Sequence, residues 1–404
     1  MNILMLHNSY QHRGGEDESY ESEVRMLRAE GHSVETIHIN NSGIESKGKF
    51  QVALESLWSS SSYDLVDRKL KERAFDVLHV QNFFPQLSPS VYYAARKHGV
   101  AVVQTLRNYR LLCPGVYLYR DGQVCEECIG KVVKYPGIMH GCYRGSRLAS
   151  ATVAAMTAFH SVAGTWINSV DLYIALTGFV RDKFIEAGFP EDKVVVKNNF
   201  VYPDPGYGGG EGDYALFVGR LSPEKGLDTL LSAWNQLGRN WSLKIAGDGP
   251  MSAQVQAFCA EHNNVEWVGA KSRAETAELM GNARVLVFPS QWYETFGRVA
   301  MESFAAGTPV IASRLGAMAE ICDDGQTGRL FEAGNASDLA DKLRWAHDNP
   351  DRLRSMRPIA RQMFESKYTM QPNCRVLIHA YETAQRRLSS VKDWTQKPSD
   401  CSVS

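Results

Sequence analysis

Apolar and polar positions alternate along this chain with two different periods. Short, nearly continuous apolar runs at Asn2–His7, Val34–Ile39, Val77–Val80 and Val100–Thr105 have the length and composition of buried strands. Between them, apolar positions recur every three or four residues. This predicts helices over roughly Glu18–Glu30, closed by Gly31, and near Ser90–His98. Asp171–Leu176 and Val194–Lys197 read as the last strands of this half. A second series follows, with strands at Tyr214–Val218, Trp241–Ala246, Val265–Val268, Val285–Phe288 and Pro309–Ser313. Helices at Leu227–Leu237, Met251–His262, Arg273–Asn282 and Gly297–Ala306 alternate with these strands. Such alternation predicts parallel sheets with crossover helices.

The two series meet at Tyr202–Gly212, where eleven residues hold two Pro and five Gly. This is the best linker in the sequence. The predicted architecture is α/β, with two Rossmann-like doubly wound domains facing across a cleft. The first spans 1–201 and carries a Cys-bearing insert at about 107–147. A linker at 202–212 leads to the second domain, 213–370, and a final helix lies within 371–390, at about Pro372–Leu388. The tail Lys397–Ser404 reads as disordered. Open parallel sheets bind ligands outside the C-terminal ends of their strands, so the cleft is the expected site.

Composition narrows the function. The 404 residues suit two to three domains, and 44% apolar with 22% charged residues is ordinary for a globular protein. Lys+Arg 44 against Asp+Glu 45 gives a net charge of −1, which disfavours a general nucleic-acid binder. The start MNILMLHNSY lacks a basic segment and runs into a strand, so no secretory signal is expected. Leu148–Val170 is free of charge but rich in Ala, Ser and Thr. Its larger apolar residues Val153, Met156, Phe159, Val162, Trp166 and Val170 recur at helical spacing, which predicts an amphipathic helix and not a membrane span. Eight Cys in a leaderless chain suggest reduced thiols and a cytoplasmic location.

Candidate chemistry lies in the loops after strands. Gly14-Gly15 stands between the first strand and the first helix, where glycine lets backbone N–H groups approach an anion. A plain tight turn would look the same, and the absence of G-x-G-x-x-G disfavours ordinary dinucleotide binding. In Gly219–Gly226, Ser222 and Pro223 suit a helix start flanked by Arg220 and Lys225. A guanidinium and an ammonium at a positive helix end suit a diphosphate, although two solvated cations would give the same pattern. Gly247-Asp248-Gly249-Pro250 reads as a turn or as a wall against a nucleotide base.

Glu294 precedes a helix and Glu302 lies within it, eight residues on. At about 12 Å apart they cannot act on one atom. They can hold two sets of hydroxyls on either side of an anion, with the helix start at Phe296-Gly297 offering N–H groups to that anion. A hexose, a diphosphate and a ribose in series match this layout.

The stretch VFPSQWYETFGRVAMESFAAGTPVIAS, with LFVGRLSPEKGLDTLLSAW and LKIAGDGP, resembles glycosyltransferase family 4. These are retaining, nucleotide-sugar-dependent enzymes of GT-B fold. LHNSYQHRGGEDESYESEV, DVLHVQNFFPQLSPS and ALTGFVRDKFIEAGF extend the resemblance to about residues 1–390. It implies that Glu294 contacts the donor hexose and Glu302 the ribose, while Arg220 and Lys225 bind the diphosphate and stabilise the departing nucleotide. Gly15 would approach the same phosphates, Phe296 and Gly297 would line the pocket, and the last helix would cross back to the N-terminal domain. No metal is needed for catalysis in this scheme, because cations and a helix dipole receive the leaving-group charge. One departure stands out. Arg107 occupies the place where many relatives carry His, in Gln104-Thr105-Leu106-Arg107-Asn108-Tyr109. It is a candidate substrate contact, or a sign of altered activity.

Cys113, Cys125, Cys128 and Cys142 are compatible with a structural zinc, less readily with an iron–sulfur cluster, or with free thiols in a loop-rich insert. Lys131, Lys134, Arg144 and Arg147 have no acidic residue among them and precede the amphipathic helix, so peripheral contact with a membrane or a pyrophosphate-lipid acceptor is one reading and a solvated loop the other. His7, His12, His79 and His160 are individually uninformative, since a lone His is more often structural, although His12 and His79 sit near strand ends, which would allow them to face the cleft. The expected function is transfer of a hexose from a UDP-sugar, or second a GDP-sugar, to a lipid-linked glycan acceptor in surface or exopolysaccharide synthesis at the cytoplasmic membrane face. The alternative is a catalytically silent nucleotide-sugar-binding scaffold.

Overall fold

The structure, a computed structural model, describes residues 1–9, 14–41, 48–238 and 241–396. His12 and the tail 397–404 lie outside the described residues. The strands are β1 (Asn2–Ser9), β2 (Ser33–Asn40), β3 (Val77–Asn82), β4 (Ala101–Leu106), β5 (Tyr119–Arg120), β6 (Gln123–Val124), β7 (Leu172–Ala175) and β8 (Val194–Val196) in the first half. The second half holds β9 (Tyr214–Val218), β10 (Ser242–Ala246), β11 (Val265–Gly269), β12 (Val285–Phe288), β13 (Val310–Ser313) and β14 (Gly328–Phe331).

Two six-stranded sheets form, ordered β2-β1-β3-β4-β7-β8 and β11-β10-β9-β12-β13-β14, and β5 and β6 make a separate hairpin. Every pair within the two large sheets is parallel. Alternation of side chains splits each sheet between two cores. In the first, Leu4, Leu6, Leu78, Val80 and Val102 face one core, and Ile3, Met5, Val77, Val103 and Ile174 face the other. In the second, Phe217, Ile245, Val287 and Ile311 oppose Leu216, Leu286, Phe288 and Val310.

The helix Met370–Gln396 lies on the first domain. Its Leu377, Ala380, Tyr381 and Ala384 complete the core that contains Ile3 and Met5, and the Tyr381 hydroxyl lies 2.7 Å from His79 Nδ1. Residues 202–212 have no helix or strand, but they are pinned to the second domain. Gly208 N–H donates to Ala306 O at 3.0 Å, and the Arg357 guanidinium donates to Gly208 O and Gly281 O.

The amphipathic segment differs from its sequence reading. It breaks at Gly164 (φ 68°) into helices Arg147–Val162 and Thr165–Asn168. Val153, Met156, Trp166 and Val170 are buried, whereas Phe159 and Val162 are 50% and 82% exposed. The residues expected on one face therefore lie on two. Strand β14 and the helices Lys49–Leu57, Ser60–Glu72, Ala336–Asp348 and Pro350–Lys367 are additions to the elements read from the sequence.

Candidate functional site

In the second sheet β9 and β12 are neighbours, and the strand order runs outward from them in both directions. Loops leaving such a pair diverge and open a crevice at their C-terminal ends. Arg220 and Lys225 follow β9, and Glu294 follows β12. Topology alone brings these three residues to one crevice.

The β9 loop forms a single 3-10 turn, Pro223–Lys225, and the long helix Leu227–Leu237 begins only after Gly226. Ser222 precedes the turn, but its Oγ donates to Glu224 Oε1 (2.6 Å) and does not cap the helix. Gly226 has φ 72°, and a Cβ there would sit 1.8 Å from Pro289 O. Only glycine lets the β9 and β12 loops approach this closely. Lys225 is half-buried beside Glu294, while Arg220 is exposed on the same loop.

Glu294 is 7% exposed. Its Oε1 accepts from Lys225 Nζ (2.6 Å), Ser290 Oγ (2.8 Å) and Trp292 Nε1 (2.9 Å). Lys225 Nζ also lies 5.3 Å from the Trp292 ring centroid. A buried carboxylate with one oxygen held by an ammonium and two neutral donors is fixed in direction.

Gly297, with φ 77°, opens the helix Arg298–Ala305, and a Cβ there would meet Met318 Sδ at 2.5 Å. The Phe296 ring is a correction to the sequence reading. It is 3% exposed and packs edge-on against Tyr368 in the core, so any contribution of Phe296 to the pocket is through its backbone. Glu302 is half-buried and paired with Arg298 Nε at 2.9 Å. Arg298 also crosses the cleft to Glu18 (2.6 Å) and Gly15 O (3.4 Å).

Gly15 is the first residue of the helix Gly15–Ala29, and a Cβ on it would lie 3.7 Å from Arg298 Cδ. The first turn carries Glu16, Asp17 and Glu18, and Asp17 accepts from Gly14 N–H (2.9 Å) and lies 2.8 Å from His7 Nε2. Three carboxylates already complement this helix end. The cationic groups at the crevice are Lys225 and Arg220, beside the start of the Arg298–Ala305 helix.

Arg107 does not line the cleft. It is 5% exposed, donating through Nε to Gln81 Oε1 (2.8 Å) and through Nη1 to Asn199 Oδ1 (2.5 Å). Its Nη2 lies 3.5 Å from Glu23 Oε1, which Lys197 also engages. Burial alone would raise the Glu23 carboxyl, but Lys197 and Arg107 outweigh it and hold it at about 2. Burial pushes His79 down to about 3, against the pull of Glu23, so its imidazole is neutral. Only the Arg107 backbone reaches the other domain, accepting from Thr295 Oγ1 at 3.1 Å. As a substrate contact Arg107 is therefore corrected to a member of a buried charge network.

Several site residues were not singled out from the sequence. Ser290 and Trp292 hold Glu294, and Arg298 joins the domains. Tyr117 reaches over from the insert, its ring edge-on to Trp292 at 4.9 Å. Val116 (φ 67°) and Leu118 (φ 49°) bracket it in left-handed backbone, which a β-branched residue rarely adopts. Burial raises the Tyr117 phenol, and Glu224 adds to this. Glu320 accepts from Gly178 N–H (3.1 Å) and Phe179 N–H (2.8 Å), so a second-domain carboxylate caps a first-domain helix. The proximity of Ser290 and Trp292 to Glu294 in sequence was the available signal for those two. Tyr117 and Arg298 had none.

The four insert cysteines are free thiols, with Cys113 and Cys128 buried. Burial raises the Cys113 thiol to about 11, and also raises Cys128 and Cys142. Among the described residues, no group of three or more His, Cys, Asp or Glu side chains is arranged to hold a metal ion. The thiol donor set is one that suits zinc, and the four thiols lie near enough to one another for Cys125, Cys128 and Cys142 to disfavour ionisation of their neighbours.

Comparison with known proteins agrees with this geometry. A model described as "Glycosyl transferase 4-like domain" matches residues 14–199, and one described as "Glycosyl transferases group 1" matches residues 209–363. An uncharacterized glycosyltransferase of Methanocaldococcus jannaschii is 34% identical over 175 residues, 43% of this chain and 48% of that protein. Glycogen synthase of Mycobacterium tuberculosis is 28% identical over 263 residues, 61% of this chain and 63% of that protein. The chain thus spans about half to two thirds of the length of these relatives. Among solved structures, Anabaena HepE in complex with UDP and glucose superposes with a TM-score of 0.69 at 15% identity, covering 95% of this chain and 100% of that one. The apo form of the lipopolysaccharide outer core galactosyltransferase WaaB gives 0.62 at 16% identity, covering 96% and 99%. With two doubly wound domains facing across a cleft and both family models matched in order, the chain belongs to the group 1/4 family of glycosyltransferases with GT-B fold.

Proposed function

We propose that this protein transfers a hexose from a nucleotide diphosphate donor to a glycan acceptor with retention of anomeric configuration. The observation that carries the reading is the Lys225–Glu294 pair at the β9/β12 crevice, facing the other domain. Glu294 holds the donor hexose hydroxyls. Lys225 and Arg220 neutralise the diphosphate, and their hold strengthens as negative charge develops on the departing nucleotide. Glu302 takes the ribose, either beside Arg298 or by displacing it. The backbone at Phe296-Gly297 lines the pocket between them.

Glu294 is not a nucleophile in this scheme. Its Oε1 is committed to three donors, one of them an ammonium, so that oxygen is not offered to the anomeric carbon. Retention then follows from attack on the face the nucleotide leaves. The acceptor oxygen bonds to the anomeric carbon as the bond to phosphate breaks, and the leaving phosphate oxygen takes the acceptor proton. No metal enters these steps. A UDP-hexose is the favoured donor and a GDP-sugar the second, with the base held mainly by backbone near Gly269–Lys271. The acceptor is a lipid-linked glycan of surface polysaccharide synthesis, met at the cytoplasmic membrane face.

Incubation with a panel of UDP- and GDP-sugars and polyprenyl-diphosphate-linked acceptors tests this. The expected product keeps the donor's anomeric configuration by NMR. An inverted product would overturn the retaining mechanism. Donor binding without turnover on any acceptor would favour a silent scaffold.

A further inference from the structure

We propose that the outer face of the Cys-bearing insert, together with the helix behind it, is a docking surface for an anionic lipid bilayer. From Cys128 to Val170 the chain contains no Asp or Glu. Within that stretch Val132 (51%), Val133 (53%), Met139 (61%), Leu148 (73%), Phe159 (50%) and Val162 (82%) are exposed. A contiguous exposed apolar patch on a folded domain marks a binding surface.

The helix Arg147–Val162 shows how the patch is built. Its inward face, with Val153, Met156, Thr157 and His160, is buried and meets the helix Lys49–Leu57. Its outward face places Leu148, Ala155, Phe159 and Val162 at spacings of three to seven residues along one side, all exposed. One apolar face is accounted for by the core, and the other has no partner among the described residues. The short helix Tyr135–Met139 packs on this helix, and Arg147 Nε donates to Met139 O at 3.0 Å, so the exposed Met139 stands beside the helix end that carries the exposed Leu148.

Charge identifies the occupant. Lys131, Arg144 and Arg147 border the patch, and Arg144 and Arg147 are exposed. A second copy docked face to face about a two-fold axis would set these cations against themselves. An anionic bilayer offers apolar depth and negative potential together. No helix among the described residues is long and apolar enough to cross a membrane, so the contact is interfacial. The same insert carries Tyr117 to Trp292 on its cleft side. Docking would thus hold the cleft close to the bilayer, with the insert between them, a relation that matters only for the lipid-linked acceptor proposed above.

The test is co-sedimentation of the full chain with vesicles of phosphatidylcholine, with and without phosphatidylglycerol, in the absence of donor and acceptor. Binding is expected only with phosphatidylglycerol and is expected to weaken with salt. Phe159→Glu with Val162→Glu should reduce it by about tenfold or more, and Arg144→Ala with Arg147→Ala should weaken it separately. An unchanged UDP-induced rise in Tm shows that the variants are folded, and the Arg pair keeps the test open if the Glu pair is not. No binding to phosphatidylglycerol vesicles, or equal binding by both variant pairs, would overturn the proposal. Self-association in sedimentation velocity that the Glu pair abolishes would overturn it in favour of a second copy. Because no turnover is measured, failure here leaves the transferase reading standing, and loss of transfer with intact vesicle binding does the reverse.

Discussion

Glu294 draws its role from its neighbours more than from its own chemistry. Three donors converge on its Oε1, and one of them, Lys225, is also a candidate diphosphate ligand. Glu294→Ala removes the proposed hexose contact and leaves the Lys225 ammonium without its partner. A hydrogen bond involving a charged group is worth about 1.5–3 kcal/mol, so kcat/KM should fall by about 10- to 100-fold in a steady-state transfer assay. Trp292→Phe removes one neutral donor and should cost about tenfold or less. Near-normal rates for Glu294→Ala would remove this residue from the site. Ser290, Trp292 and Glu294 fall within five residues, so the sequence held the pieces. What it hid was their convergence on a single oxygen, which depends on how the loop turns after β12.

At the scale of elements, short buried strands and their order along the chain were legible, because continuous Val, Ile and Leu runs leave few alternatives in a parallel sheet. The buried charge network was not. Glu23, Gln81, Arg107 and Lys197 come from four separate elements, and no periodic pattern relates them. Resemblance to other chains suggested a substrate contact for Arg107, and packing made it a partner of Glu23. Arg107→Met should therefore lower Tm clearly while leaving the donor KM close to normal. Removing one partner of a buried pair costs about 3–5 kcal/mol, and Lys197 softens that loss. The sign with pH follows from Glu23. Its folded value, about 2, lies below the ordinary carboxylate value of about 4.3. The stability it contributes is complete above about pH 4.3 and is lost as pH falls toward 2. In Arg107→Met the Glu23 value should rise, so the acid limb of Tm against pH should flatten. A variant with unchanged Tm and acid limb would contradict this assignment. Gly297→Ala tests a second element junction. With φ 77° and Met318 Sδ in the way, it should lower the unfolding free energy by about 1–2 kcal/mol, read as a lower denaturant midpoint, and impair donor binding with it.

For the whole molecule, the domains are joined by polar contacts across the cleft and by the C-terminal helix. Arg298 links Glu302 to Glu18, Glu320 caps the helix Gly178–Glu186, and Tyr117 meets Trp292. Arg298→Ala should loosen the closed arrangement, seen as a larger radius of gyration in solution scattering without donor. An unchanged radius would mean that the other contacts suffice. The doubly wound layout was legible from strand–helix alternation and the Pro/Gly-rich junction at Tyr202–Gly212. The cross-cleft contacts were not, because each joins residues whose distance in sequence carries no signal.

Lys225 and Arg220 are proposed to neutralise a nucleotide diphosphate at the β9/β12 crevice. Calorimetric titration of UDP into the wild-type protein and into the Arg220→Ala, Lys225→Ala double variant tests this most directly. The expected result is measurable wild-type affinity and a loss of about 100-fold or more in the variant, as two charge-assisted contacts disappear. Equal affinity in a folded variant would contradict the account.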